Sequence, residues 1–140
     1  MQKAKVVLVK FWLRKAQRDL AVAQKLAADF PDIAIYHCQQ GAEKALKGFL
    51  ILHDIDPVNT HNINTLIQQA STIKPEWQTV FKQAGILSQY NQTYRYPSDP
   101  TEDFNPSPGE LNKAFQLAKD VYRAVLDIMP QEIVGQNRQL

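Results

Sequence analysis

"AIYHCQQGAEKALKGFLI", residues 34–51, decides the fold. Ile35, Cys38, Ala42, Ala45, Phe49 and Leu52 recur at spacings of 3-4-3-4-3, which puts them on one stripe of an α-helix. "DFPD" sets the start, because Pro31 suits the first turn of a helix. The spacing predicts a helix from about Pro31 to Asp54, roughly 36 Å long at ~1.5 Å per residue. The same stretch is also polar. At about 100° per residue, His37, Gly41, Lys44 and Gly48 fall on one flank of the stripe. Gln40, Glu43 and Lys47 fall on the far side, where the wheel predicts that they are solvated.

The two glycines need a reason, since each costs about 1 kcal/mol relative to alanine inside a helix. Three readings remain open. Gly41 and Gly48 let a neighbouring helix approach closely, in the same chain or in a second subunit. The flank is a shallow groove in which His37 and Lys44 face a phosphate or nucleotide. Or nothing offsets the cost and the helix is simply less stable.

The flanking sequence continues the helical pattern. Leu13, Ala16, Leu20, Ala23 and Ala27 mark a first helix over about Val6 to Asp29. Thr60 reads as the N-cap of a short helix through Ile63, Leu66, Ile67 and Ala70. "KPEW" opens a fourth, in which Trp77, Val80, Ala84, Leu87, Asn91 and Tyr94 keep the 3-4 alternation up to Tyr96. "PSDPTEDFNPSPGE" holds four prolines and reads as a loop. Leu111, Ala114, Ala118, Val121, Val125 and Ile128 mark a last helix, about Pro108 to Met129. No stretch alternates as a strand does. The fold class expected is all-α: an up-and-down bundle of four long helices and one short one. One domain fills residues 1–130, and residues 131–140 form a polar, fraying tail.

The 140 residues suffice for one core. Hydrophobic residues make up 44%, which excludes a disordered chain, and the net charge of +2 gives no bulk argument for nucleic acid. The charge is unevenly placed, however. Lys3, Lys5, Lys10, Arg14, Lys15 and Arg18 precede the first acid, Asp19. That arrangement fits an anionic partner near the first helix or, more simply, a solvated basic end. The single cysteine, Cys38, excludes an intrachain disulfide and suits a reducing cytoplasm. No apolar run reaches the ~20 residues of a membrane span, and Lys10 interrupts the run Val6–Val9 that would otherwise read as a signal peptide.

A second polar cluster is "SQYNQTYRYP", residues 88–97. Asn91 takes a position that the spacing assigns to the core, where an amide needs partners. Tyr90, Tyr94 and Tyr96 are able to stack on bases, and Arg95 to hold a phosphate. The alternative is an aromatic helix end with Arg95 paired to Asp19 or Glu43. His53 reads as a cap on the second helix's last carbonyls, and His61 as structural. The chain has no glycine-rich phosphate loop and no HExxH, and its three histidines lack metal-ligand spacing, so no cofactor and no metal are expected.

"FWLRKAQRDLAVAQKL", "IYHCQQGAEKALKGFLI", "THNINTLI" and "YNQTYRYP" together resemble the blocks of the HEPN domain (higher eukaryotes and prokaryotes nucleotide-binding). The second block, with His37, Gln40, Ala42, Glu43, Lys44, Leu46 and Lys47 in the family's order, is the most specific. The resemblance covers about Phe11 to Val125. It implies an up-and-down helical bundle and a homodimer. It also implies a frequent partnership with a minimal nucleotidyltransferase, in modules similar to toxin–antitoxin pairs. Many members are metal-independent ribonucleases marked by an arginine with a histidine four to six residues downstream. None of Arg14, Arg18, Arg95, Arg123 and Arg138 has one.

The expectation is therefore a non-catalytic subunit that binds a nucleotide, an RNA phosphate or a nucleotidyltransferase partner, with no catalytic residue assigned. The candidate ligand-binding residues are His37, Lys44, Arg95 and Tyr94, and the close-packing residues are Gly41 and Gly48. The first alternative is a ribonuclease with a non-standard site built from Arg95 and His37. The second is a purely structural interaction module.

Overall fold

The computed structural model describes residues 1–96 and 104–135. Three long helices form the body: α1 (Lys3–Leu26), α2 (Pro31–Leu52) and, later in the chain, α5 (Pro108–Asp127). Between them lie α3 (Ile63–Ala70), the single turn α4 (Trp77–Val80) and a 3₁₀ helix (Lys82–Asn91). A last short helix, α6 (Gln131–Val134), follows α5. The described residues hold helices and no strand, so the fold is an all-α helical bundle.

α2 is the central strut. It packs against α1, α5, α3 and the 3₁₀ helix, and fourteen of its 22 residues are buried. A helix with neighbours on every side cannot keep a solvated face. Gln40 and Glu43, expected in solvent, are accordingly buried, and Lys47 is largely covered. α1 differs, with six buried residues in 24. Those six are Val9, Leu13, Ala16, Asp19, Leu20 and Ala23, a core stripe that includes one carboxylate.

Gly41 and Gly48 lie where α1 rests on α2. A Cβ at Gly41 would sit 2.9 Å from Leu20 Cδ2, and one at Gly48 3.2 Å from Leu13 Cδ2. Cys38, one turn before Gly41, is fully buried. Its thiol is pushed up to about 12 by burial, against a smaller opposing effect of its backbone hydrogen bond.

The fourth segment departs from its expected form as one long helix. Thr79 and Val80 are β-branched and Gly85 is a poor helix former. The chain leaves the α-helix after Val80 and winds at three residues per turn. The phase of the core changes with it. Trp77, Phe81, Ala84, Leu87 and Tyr90 are buried, whereas Val80 is exposed. Asn91, assigned to the core by a 3.6-residue period, is only half-buried.

Three smaller expectations also change. Asn62, not Thr60, caps α3: its side chain accepts from the Thr65 N–H, and Thr60 Oγ1 accepts from the Asn62 N–H. The His53 backbone N–H, not its ring, closes the end of α2, and the ring lies on Phe49. Residues 131–134, expected to fray, form α6 with Ile133 and Val134 buried. The loop read over residues 97–103 and the tail over residues 136–140 lie outside the described residues. Ser107 ends the described part of that loop by capping α5 through the Glu110 N–H. Among the described residues no helix is long and apolar enough to cross a membrane.

Candidate functional site

α2 carries two carboxylate–histidine–lysine clusters, one toward α1 and one toward α3. In the first, Asp19 of α1 accepts at 2.7 Å from His37 Nδ1 and at 2.6 Å from Lys44 Nζ. His37 and Lys44 are seven residues apart on one flank, as the wheel requires, and Asp19 lies between them. Asp19 is nearly buried, while His37 and Lys44 keep about a quarter of their side chains exposed. An ionised carboxylate only accepts, so His37 Nδ1 carries the proton in this contact and Nε2 is the ring's second nitrogen.

In the second cluster, Glu43 Oε1 accepts from Gln39 Nε2 at 2.9 Å and from His61 Nδ1 at 2.8 Å. Its Oε2 accepts from Lys47 Nζ at 2.9 Å. Burial alone would raise the Glu43 pKa. The hydrogen bonds from Lys47, His61 and Gln39, together with the Lys47 charge, outweigh it and hold the carboxyl below its ordinary value. Gln39, fully buried, also donates to the His61 carbonyl and accepts from Gln40.

Arg95 does not make the ion pair with Asp19 or Glu43 that one sequence reading offered. Asp19 and Glu43 are occupied by the two clusters, and Arg95 forms no ion pair among the described residues. Its guanidinium stacks 4.2 Å over the Tyr36 ring and 5.3 Å from the exposed Tyr96 ring. Nη1 donates to the Asn91 carbonyl at 2.8 Å. Tyr36 in turn meets His37 edge-on, with centroids 5.3 Å apart. Arg95 and His37, far apart in the chain, thus rest on the same tyrosine, with Lys44 joined to His37 through Asp19.

Tyr94 does not join this group. Its hydroxyl and that of Tyr90 each donate at 2.7 Å to Glu110 of α5. The two rings stack, and Tyr94 adopts a left-handed φ of 73°. The Tyr94 phenol is pushed up to about 12 by burial and by the Glu110 carboxylate. Its polar end is therefore committed inside the protein.

The sequence reading missed Asp19, Tyr36 and His61 as site residues. Asp19 did leave a signal, as an acid three residues after Ala16 and four before Ala23 on an otherwise apolar stripe. Tyr36 left none, because its importance comes from a stack across the fold.

No curated protein and no solved structure matches the chain. A family model described as the HEPN domain matches residues 9–129. That span runs from α1 through α5 and includes both clusters and Arg95, and the chain belongs to the HEPN domain family.

Proposed function

We propose that this HEPN protein binds a nucleotide or the phosphates of single-stranded RNA at the Arg95 face without catalysing a reaction. One observation carries the reading: an exposed arginine, without an ion pair among the described residues, whose guanidinium lies within cation–π reach of both Tyr36 and Tyr96. A guanidinium positioned by these rings and by the Asn91 carbonyl offers its remaining N–H groups to a phosphate. Tyr96 offers a ring face on which a base can stack, and His37 Nε2 and Lys44 extend the polar surface. Arg95→Ala should weaken binding of a short RNA about tenfold or more in a fluorescence-anisotropy titration, and added salt should weaken the unmodified protein's binding. Equal affinities for the two proteins would refute the reading.

The assembly we propose is a cytoplasmic homodimer that partners a minimal nucleotidyltransferase in a toxin–antitoxin-like module. Val7, Leu8 and Phe11 support the dimer, since they leave apolar surface exposed along α1. Light scattering should give twice the 16.0 kDa chain mass, and a value at the monomer mass would refute the dimer.

A ribonuclease is the second reading, favoured by the approach of His37 to Arg95 through Tyr36. Asp19 fixes the His37 tautomer as an orienting carboxylate does for a general base, and Arg95 would meet the phosphate charge. RNA cleavage that survives repeated purification and vanishes in both Arg95→Ala and His37→Ala would establish this reading over the first.

A further inference from the structure

A polar cleft of about 400 Å³ opens between the start of α3 and the end of the 3₁₀ helix. That volume falls within the range of small-ligand sites. His61, Asn62, Ser88, Gln89, Asn91 and Thr93 supply most of its wall, and among the described residues His61 is the one titratable side chain lining it. Three residues per turn explains the alignment. Gly85, Ser88 and Asn91 repeat every third residue and eclipse on one ridge. Gly85 lies against Asn64, Ser88 Oγ accepts from the Ile63 N–H at 2.8 Å, and Asn91 reaches the cleft.

The cleft's chemistry selects an uncharged ligand rich in hydroxyls. Two N–H groups at the start of α3 are already bonded: that of Ile63 to Ser88 and that of Thr65 to Asn62. An anion would find neither of them, and among the described residues no lysine or arginine lines the wall. His61 is held by its Nδ1 on Glu43 and by its carbonyl on Gln39, with most of its side chain exposed. Nδ1 faces the Glu43 carboxylate, so the tautomer with its proton on Nδ1 leaves Nε2 as a hydrogen-bond acceptor. The Gln89 and Asn91 side-chain amides have no partner among the described residues, and each offers both a donor and an acceptor. The cleft also adjoins the phosphate-binding face: Asn91 lines it, and the Asn91 carbonyl holds Arg95.

We infer that this cleft is a ribose subsite, in which a 2′-hydroxyl donates to His61 Nε2 while Arg95 holds the neighbouring phosphate. The inference rests on the RNA-binding reading of the Arg95 face and adds a source of specificity to it. The 2′-hydroxyl is what lets a protein separate RNA from DNA.

The test is a titration of one short single-stranded sequence in two forms, RNA and its 2′-deoxy counterpart with uracil retained. The unmodified protein should bind the RNA about five- to tenfold more tightly, the effect of one or two hydrogen bonds. His61→Phe should bring RNA binding down to the DNA level and leave DNA binding unchanged. Asn91→Ala removes an amide without disturbing the Glu43–His61 bond, so it keeps the test valid should His61→Phe fail to fold. It should narrow the preference too. Equal binding of RNA and DNA by the unmodified protein would overturn the inference while leaving the phosphate reading intact. A full preference retained in Asn91→Ala and in folded His61→Phe would also overturn it, since both residues would then be structural only. Binding of neither form would remove the phosphate reading and the subsite together.

Discussion

Glu43 shows how one side chain on α2 answers several demands. Its two oxygens serve Gln39, His61 and Lys47, tying α2 to itself and to the start of α3. Because the folded-state pKa is depressed, the stabilisation is fully present above the ordinary carboxylate value of 4.5. It is lost as the pH falls through the lower folded-state value. Urea unfolding should therefore show stability falling below about pH 4.5, and Glu43→Gln should flatten part of that fall. At neutral pH, Glu43→Ala leaves Lys47 and Gln39 without their acceptor in a covered site. It should cost about 2–4 kcal/mol, measured by the same unfolding. A loss near zero would mean that the cluster does not fasten α3 to α2.

Among the elements, the pairing of α1 with α2 rests on its two glycines. An alanine at position 41 would place its Cβ 2.9 Å from Leu20 Cδ2, too close without movement of Leu20. At Gly48 the nearest approach is 3.2 Å, so Leu13 has to give by only a few tenths of an ångström. Replacing either glycine gains about 1 kcal/mol of helix propensity, and overpacking costs about 1–3 kcal/mol where the neighbour cannot yield. Gly41→Ala should thus lower the melting temperature and Gly48→Ala should leave it nearly unchanged. Adding Leu20→Ala should remove the Gly41→Ala penalty, a coupling that a double-mutant cycle reads directly. The elements were unequally legible in the sequence. The 3-4 spacing located α1, α2 and α5 because each has a continuous buried stripe. It failed after Val80, where the chain changes its own period and Phe81 and Tyr90 turn inward instead of Val80 and Asn91. The wheel grouped His37 with Lys44 correctly. It put Glu43 in solvent because a wheel assumes one buried face and α2 has neighbours all around. Asp19 and Tyr36 became site residues only through contacts between elements, which no single-helix pattern contains.

For the whole molecule, the two clusters and the Arg95 stack depend on α2 staying in place, because each takes at least one residue from it. The proposed recognition surface is assembled by side chains from α1, α2 and the turn after the 3₁₀ helix. Opening of the central helix would therefore dismantle both ends of the proposed surface at once. The protein carries its own gauge of that event. Cys38 is fully enclosed and its thiol is held far from the thiolate form, which is the reactive one. A disulfide reagent such as DTNB should leave the native protein unlabelled on mixing and modify it at once in denaturant. Between those limits, the labelling rate counts how often α2 becomes exposed, and an RNA that stabilises the assembled surface should slow it. The lone thiol, which belongs to neither cluster, thus works as a built-in clock for the helix on which the proposed binding residues depend.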